Sequence, residues 1–265
     1  MLYFPQFLPG AVAQYPLSRQ RIFRTVRAVN LSGGIAKRAD SEAGRVRWEL
    51  TYRRLTEEER DTLEQFFEAT EGRLKNFTFV DPTANLLAWS ERLSEPVWTK
   101  DPLLTLTEGQ VDPEGGQTAT RVTNTGAAPQ ELSQAIAAPG WYQYCFSAYV
   151  RGDGGGVLEL VRAAAGGEDR RGFAVTPEWR RVWLTGRTTT TAETVRFAIR
   201  LAGGMATDLW GLQVEAQVLP STYKRSSARG GVFPTARFDS DALAIQADGP
   251  GQYSCTVFIT APLSG

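Results

Sequence analysis

The first chemical fact of this chain is a gap: none of its 265 residues is histidine. His-based triads, HExxH zinc sites and imidazole general bases are therefore excluded together. The two cysteines, Cys145 and Cys255, lie far apart, match no metal-ligand spacing and sit in apolar strand-like runs. Two buried free thiols are the expected state. Glu159, Asp208 and Glu215 supply carboxylates of the kind that hydrolyse glycosides in pairs. Any chain of this length offers such pairs, and no catalysis is expected. Asp112, Glu114 and Asp208 offer hard oxygen ligands suited to a structural calcium. No dense D-x-D loop accompanies them, so turn-forming or solvated roles fit better and no metal or cofactor is assigned. Gly152-Asp-Gly-Gly-Gly156 lies between two strand-like runs with no Lys-Ser/Thr or helix after it, which makes it a hairpin loop and not a phosphate cradle.

Aromatic rings are the other chemical resource. Trp89, Trp98, Trp141, Tyr149, Trp183 and Trp210 could form a stacking platform for pyranose rings. Trp183 and Trp210 lie in apolar strands and read as packing residues. Trp89 and Trp98 lie in an opening segment that can cover a sandwich. Trp141 and Tyr149 share the strand face opposite Tyr142 and Phe146, and are the platform candidates if that face is solvated.

Charge adds little by itself. Lys plus Arg and Asp plus Glu both number 29, so no electrostatic footprint for nucleic acid follows. Arg19, Arg21, Arg24, Arg27, Lys37, Arg38, Arg45 and Arg47 form a local basic set that could face DNA or a neighbouring subunit; subunit contact is the stronger reading, because a genome-conducting pore does better without cations on its wall. The opening MLYFPQFLPG has no basic n-region and its prolines interrupt any apolar run, so it does not read as a signal peptide. No apolar run approaches membrane-spanning length. Folding in a cytoplasm is the expectation.

The elements that must position these residues are clearest at 46–81. Val46, Trp48, Leu50 and Tyr52 alternate with polar residues, the period of a half-buried strand. Thr56 and Glu59 make a capping box, and Glu57–Glu59 suit the positive end of a helix. Leu63, Phe66 and Phe67 then recur on one helical face, Gly72 sits where a C-terminal cap belongs, and Phe77 and Phe79 alternate in a second strand. Before this unit, 21–29 reads as a strand and 35–44 as an exposed polar loop. From 85 to 223 there are many short strands between recurrent turn signals and no amphipathic helix, the pattern of an all-β sandwich. The run 224–231 has linker composition. The strands after it are too few to hold a core alone. The economical organisation is a discontinuous domain, 1–83 and 225–265, with a sandwich at 85–223 inserted into it.

Two resemblances follow from particular motifs. The strand R-x-W-x-L, the helix T-x-E-E-x-x-x-L-x-x-F-F, the run G-x-x-x-x-F-x-F-x-D-P and the closing ARFDSDALAIQADGPGQYSCTVFITAPL resemble the distal tail proteins and lambda-type minor tail protein M families of long-tailed phages. This implies a tail-tube-like β-sandwich or barrel with one flanking helix at about 56–71. It also implies a hexameric ring joining the tail tube protein to the tail hub or tip, located in the virion tail and assembled in the host cytoplasm. The segments NLLAWSERLSEPVWTK, GWYQYCFSAYVRG, EWRRVWLTG and DLWGLQVEAQVLPSTYKRSS resemble the carbohydrate-binding-module-like jelly roll of phage fibre and tail proteins. That implies two antiparallel sheets used for decoration or for contact with a host surface glycan, here projecting outwards. Arg38 and Arg45 in the 30–45 loop, with Phe233 and Phe238, are the expected assembly contacts. A receptor-binding fibre-type protein is the alternative, and a tail-associated glycan hydrolase a more distant one. No membrane insertion or sequence-specific nucleic acid is expected.

Overall fold

The computed structural model describes residues 1–7 and 10–263. The architecture is mainly β with one helix, and the chain divides into two compact units. The first holds Ala13–Phe79, the opening residues, and the chain from Phe233 onwards; the second holds Val80–Val232 with a short piece at 10–12.

The first unit is a six-stranded sheet. Its strands are β1 (Ser18–Val29), β2 (Ile35–Leu55), β3 (Phe77–Val80), β14 (Val232–Phe238), β15 (Ile245–Gly249) and β16 (Gln252–Pro262). They run β1-β2-β16-β14-β3, with β15 also paired to β16. Period-two alternation buries Val46, Trp48, Leu50 and Tyr52 on one face of β2, and Cys255, Val257, Ile259 and Ala261 on β16. Helix α1 (Glu57–Ala69) starts as its residues require: the Thr56 hydroxyl accepts from the Glu59 amide at 3.2 Å, and the Glu59 carboxylate accepts from the Thr56 amide at 2.9 Å. It ends with Glu71 and Gly72 both in the left-handed region, φ 52° and 61°, and the Gly72 amide donates to Phe67 O at 3.2 Å. The helix presents Leu63, Phe66 and Phe67 to the sheet. Phe66 stands edge-on to Phe4 at 5.8 Å and to Phe77 at 5.1 Å, and Phe67 meets Phe238 at 5.0 Å. Burying each such ring contributes about 1.5–3 kcal/mol.

The second unit is an antiparallel β sandwich of jelly-roll type. Its strands are β4 (Thr99–Lys100), β5 (Leu104–Gln110), β6 (Ala119–Asn124), β7 (Gln130–Ile136), β8 (Tyr144–Arg151), β9 (Val157–Ala164), β10 (Gly167–Ala174), β11 (Arg180–Gly186), β12 (Val195–Leu201) and β13 (Ala206–Glu215). One five-stranded sheet has the order β10-β9-β12-β7-β4 and the other β11-β8-β13-β6-β5. Between them Phe197 of β12 packs edge-on to Tyr144 and Phe146 of β8, at 5.5 and 5.6 Å. The chain enters and leaves this unit side by side, since the Asp81 amide donates to Gly231 O and the Gly231 amide to Asn85 O, both at 2.8 Å.

Three sequence expectations need correction. Residues 35–44 are not a loop but the first part of the 21-residue strand β2, paired with β1 down to Val29↔Ile35. They show no period because neither face is covered. Residues 152–156 do not close a hairpin: β8 and β9 belong to opposite sheets, so this loop carries the chain across the sandwich. Residues 224–231 are not a free linker. The Trp89 amide donates to Ser227 O at 2.8 Å, Ser90 and Ser226 exchange bonds, and the Asn85 amide nitrogen reaches Lys224 O at 3.3 Å. Backbone complementarity, invisible to composition, lays this segment along 85–90.

Candidate functional site

The face on which a sugar platform was expected is the outer face of β8, β11 and β13. Pairing places Tyr149, Ser147 and Cys145 of β8 beside Arg181, Trp183 and Thr185 of β11, and beside Trp210, Gln213 and Glu215 of β13. Most of that face is not solvated: Cys145, Ser147, Trp210, Gln213 and Glu215 are buried, while Trp183 and Thr185 on β11 stay exposed. Residues 217–225 run over it as a strap. Glu215, 2% exposed, accepts from the Ser221 amide at 3.0 Å and from Lys224 Nζ at 2.6 Å. Gln213 Oε1 accepts from the Lys224 amide at 2.6 Å, Thr185 Oγ1 donates to Val218 O at 2.6 Å, and Arg181 donates to Ser221 O and Ser147 Oγ. Tyr223 packs at a tilt against Trp210 at 4.6 Å, and Tyr149 meets Trp210 edge-on at 5.2 Å. A β-bulge with Gly211 at φ 61° makes the close approach possible, since a Cβ there would stand 3.3 Å from Tyr223 and 3.4 Å from Tyr149.

The charges under and beside the strap are committed. Burial pushes the Glu215 carboxyl up, but the bonds from Lys224 and Ser221 outweigh it and hold the group below the usual carboxylate range. Asp208 behaves alike: burial opposes ionisation, and hydrogen bonds from Arg121 Nε at 2.7 Å and Arg151 at 2.9 Å override it. Neither can store a proton near neutrality as a general acid must. Asp112 is likewise held low against its burial, because it accepts from the amides of Glu114, Gly116 and Thr118 and from the Thr118 hydroxyl. The carboxylates considered for calcium, Asp112 and Asp208, thus have protein donors around them, and no group of three or more Cys, Asp or Glu among the described residues is arranged to hold a metal ion. Burial pushes the Cys145 thiol up to about 12 and that of Cys255 to about 11, and both are free.

The aromatic candidates are therefore dispersed. Tyr149 packs with Trp210 and lies under the Arg181 guanidinium at 5.4 Å. Trp141 precedes β8, is 40% exposed and touches Tyr142 edge-on at 6.1 Å. Trp98 is buried and donates its indole N–H to Trp89 O at 3.1 Å. Trp89 is half-buried below Arg92, 5.3 Å away. Trp183, read as a packing residue, is 38% exposed on the edge strand β11.

The assembly candidates divide. Phe233 and Phe238 are core residues of the first unit: Phe233 stands 4.8 Å from Trp48, and Phe238 lies within 5.1 Å of Phe67 and Phe77. Phe233, Ala236 and Phe238 are buried along β14 while Pro234, Thr235 and Arg237 are exposed, which explains the correction. Arg38 and Arg45 are exposed on β2. Arg45 pairs with Ile22 and Pro262, where β16 ends; past it β1 and β2 continue alone as a two-stranded ribbon closed by the turn at Asn30, whose side chain accepts from the Gly34 amide at 2.6 Å. The ribbon carries Phe23, Val26, Val29, Leu31 and Ile35, each at least 47% exposed. Sequence reading found its first strand at 21–29 but missed the partner at 35–44, because an uncovered ribbon has no buried face to imprint a period.

No family model matches the sequence, and no curated protein matches it. Among solved structures, the enzymatically active domain of bacteriophage CBA120 tailspike protein 4 is similar at 15% identity and TM-score 0.40 over 52% of this chain and 22% of that one. TmCBM61, solved with β-1,4-galactotriose, is similar at 16% identity and TM-score 0.39, over 49% of this chain and 97% of that one. The C-terminal family 22 carbohydrate-binding module of Clostridium thermocellum Xyn10B reaches 16% identity and TM-score 0.43, over 54% and 99%. No helix among the described residues is long and apolar enough to cross a membrane.

Proposed function

We propose that this chain is a structural component of a phage tail tip, a distal tail protein whose first unit closes a ring, of six copies, between the tail tube protein and the hub or baseplate. The reading rests on the uncovered β1–β2 ribbon. A two-stranded ribbon is marginal in water on its own, and this one leaves large apolar side chains on show; a partner surface accounts for both. The sequence motifs of the strand–helix–strand unit point to the same class. The jelly roll, whose chain ends lie side by side, is an insert that decorates the particle. The protein works by assembly and not by turnover. It belongs in the virion tail, after assembly in the host cytoplasm. Sedimentation of the full chain over a range of concentrations tests this. A closed oligomer supports it, whereas a monomer throughout contradicts it.

Exposure of Trp141 and Trp183 favours a second reading, contact with a host surface glycan as in a receptor-binding protein. It requires that Trp141→Ala or Trp183→Ala abolish glycan binding without altering the oligomer, on an array of bacterial surface polysaccharides.

A further inference from the structure

We infer that the β1–β2 ribbon seats on helix α1 of a second copy of this chain, so that each copy gives its ribbon to one neighbour and its helix to the other. The inference rests on the assembly reading above and names the two surfaces that meet.

The ribbon carries an internal conflict. Cross-strand partners project to the same face, and the register puts Arg27 opposite Lys37, next to Val29 opposite Ile35. Two exposed cations side by side destabilise the ribbon in isolation. The other face has its own ion pair, Arg24 with Asp40 at 3.6 Å. The first face therefore offers a small apolar end beside uncompensated positive charge.

Helix α1 carries the opposite conflict. Six of its residues are acidic against one arginine. Glu57, Asp61, Glu64 and Glu68 fall at i, i+4, i+7 and i+11, on one stripe. Arg60 reaches Glu57, Asp61 and Glu64, so the negative excess grows towards Glu68. That end is the negative pole of the helix, where carboxylates are unfavourable and cations favourable; the last turn holds no basic residue, and the cation beyond it, Lys75, donates to Ala69 O at 3.3 Å and pairs with Glu71 at 2.6 Å, not with Glu68. Just beyond it Leu74 is 70% exposed. Cations and an apolar tip on one surface thus match carboxylates and an apolar residue on the other, and the contact relieves both conflicts.

Self-pairing of the ribbon is the competing geometry. β1 is an edge strand with four arginines and no acid, so pairing it with β1 of another copy would set like charges against each other. A ribbon-to-helix contact is heterologous, the kind that generates a ring when its rotation closes.

The test uses the full-length chain and three variants: Arg27→Glu with Lys37→Glu, Glu64→Lys with Glu68→Lys, and all four changes together. All these positions are exposed, so circular dichroism should show the fold retained. Each double variant is expected to weaken self-association on the order of a hundredfold in sedimentation, and the quadruple variant to recover most of it. Carbodiimide coupling of a mixture of light and heavy isotope-labelled chains should join Lys37 of one copy to Glu64 or Glu68 of another. If the parent chain associates and neither double variant weakens it, the ribbon–helix contact is wrong while assembly stands. A quadruple variant as weak as the doubles overturns the contact in the same way. A parent chain that stays monomeric and gives no cross-link between copies overturns both readings.

Discussion

The two units reach stability by different routes. The buried polar residues of the first are all threonines, Thr70, Thr78 and Thr260 among the described residues; every fully buried amide or charged side chain lies in the second. The first unit is held by a cluster of rings, Phe4, Phe66, Phe77, Phe79, Phe238 and Trp48, packed edge to face or tilted. The second adds to its apolar sandwich a set of ionised or amide groups whose partners lie far along the chain, such as Asp208 with Arg121 and Asn85 with Val214. An apolar core tolerates acid and salt, whereas a buried carboxylate is stabilising only while ionised and paired. The difference predicts which unit each perturbation breaks.

Phe238→Ala should cost the first unit about 3–5 kcal/mol, lowering one calorimetric transition and leaving the other in place. A variant of unchanged stability but weakened association would return Phe238 to an interface. Asp208→Asn is expected to cost the sandwich about 2–3 kcal/mol, since two arginines lose their anion; urea titration reads it as a lower midpoint at constant slope. The pH dependence sharpens the contrast. Asp112, Asp208 and Glu215 have folded-state pKa values below their unfolded ones, so their contribution is complete above the ordinary carboxylate range. It is lost as pH falls through the lowered values, from about pH 4 downwards. Acid should therefore melt the sandwich first, and Asp208→Asn should flatten that slope. Glu215→Gln should cost about 1–2 kcal/mol, seen as faster hydrogen exchange confined to 217–225. Thr56→Ala removes the helix cap for about 1 kcal/mol, a small shift in the first unit's transition alone.

The same contrast governs what the sequence reveals. The first unit's strand–helix–strand core was legible because Trp48, Leu50, Thr56, Glu59, Leu63 and Phe66 write their roles in local spacing. The many short strands of the sandwich were legible from turn signals. The strap was not: Glu215 and Lys224 look like solvated charges until the chain doubles back. Nor was the crossing at 152–156, because a glycine loop reads the same whether the next strand joins its own sheet or the opposite one. Phe233 and Phe238 were expected as assembly contacts, yet the ring cluster they complete is built from residues 1–80, far from them in sequence. The ribbon escaped for the opposite reason, having no core to answer to.

The most direct test of the central claim is native mass spectrometry of the full chain beside a variant in which residues 24–40 are replaced by a short turn. A closed ring from the parent and a folded monomer from the variant are the expected result. A ring that persists without the ribbon, or a parent that never leaves the monomer, would contradict it.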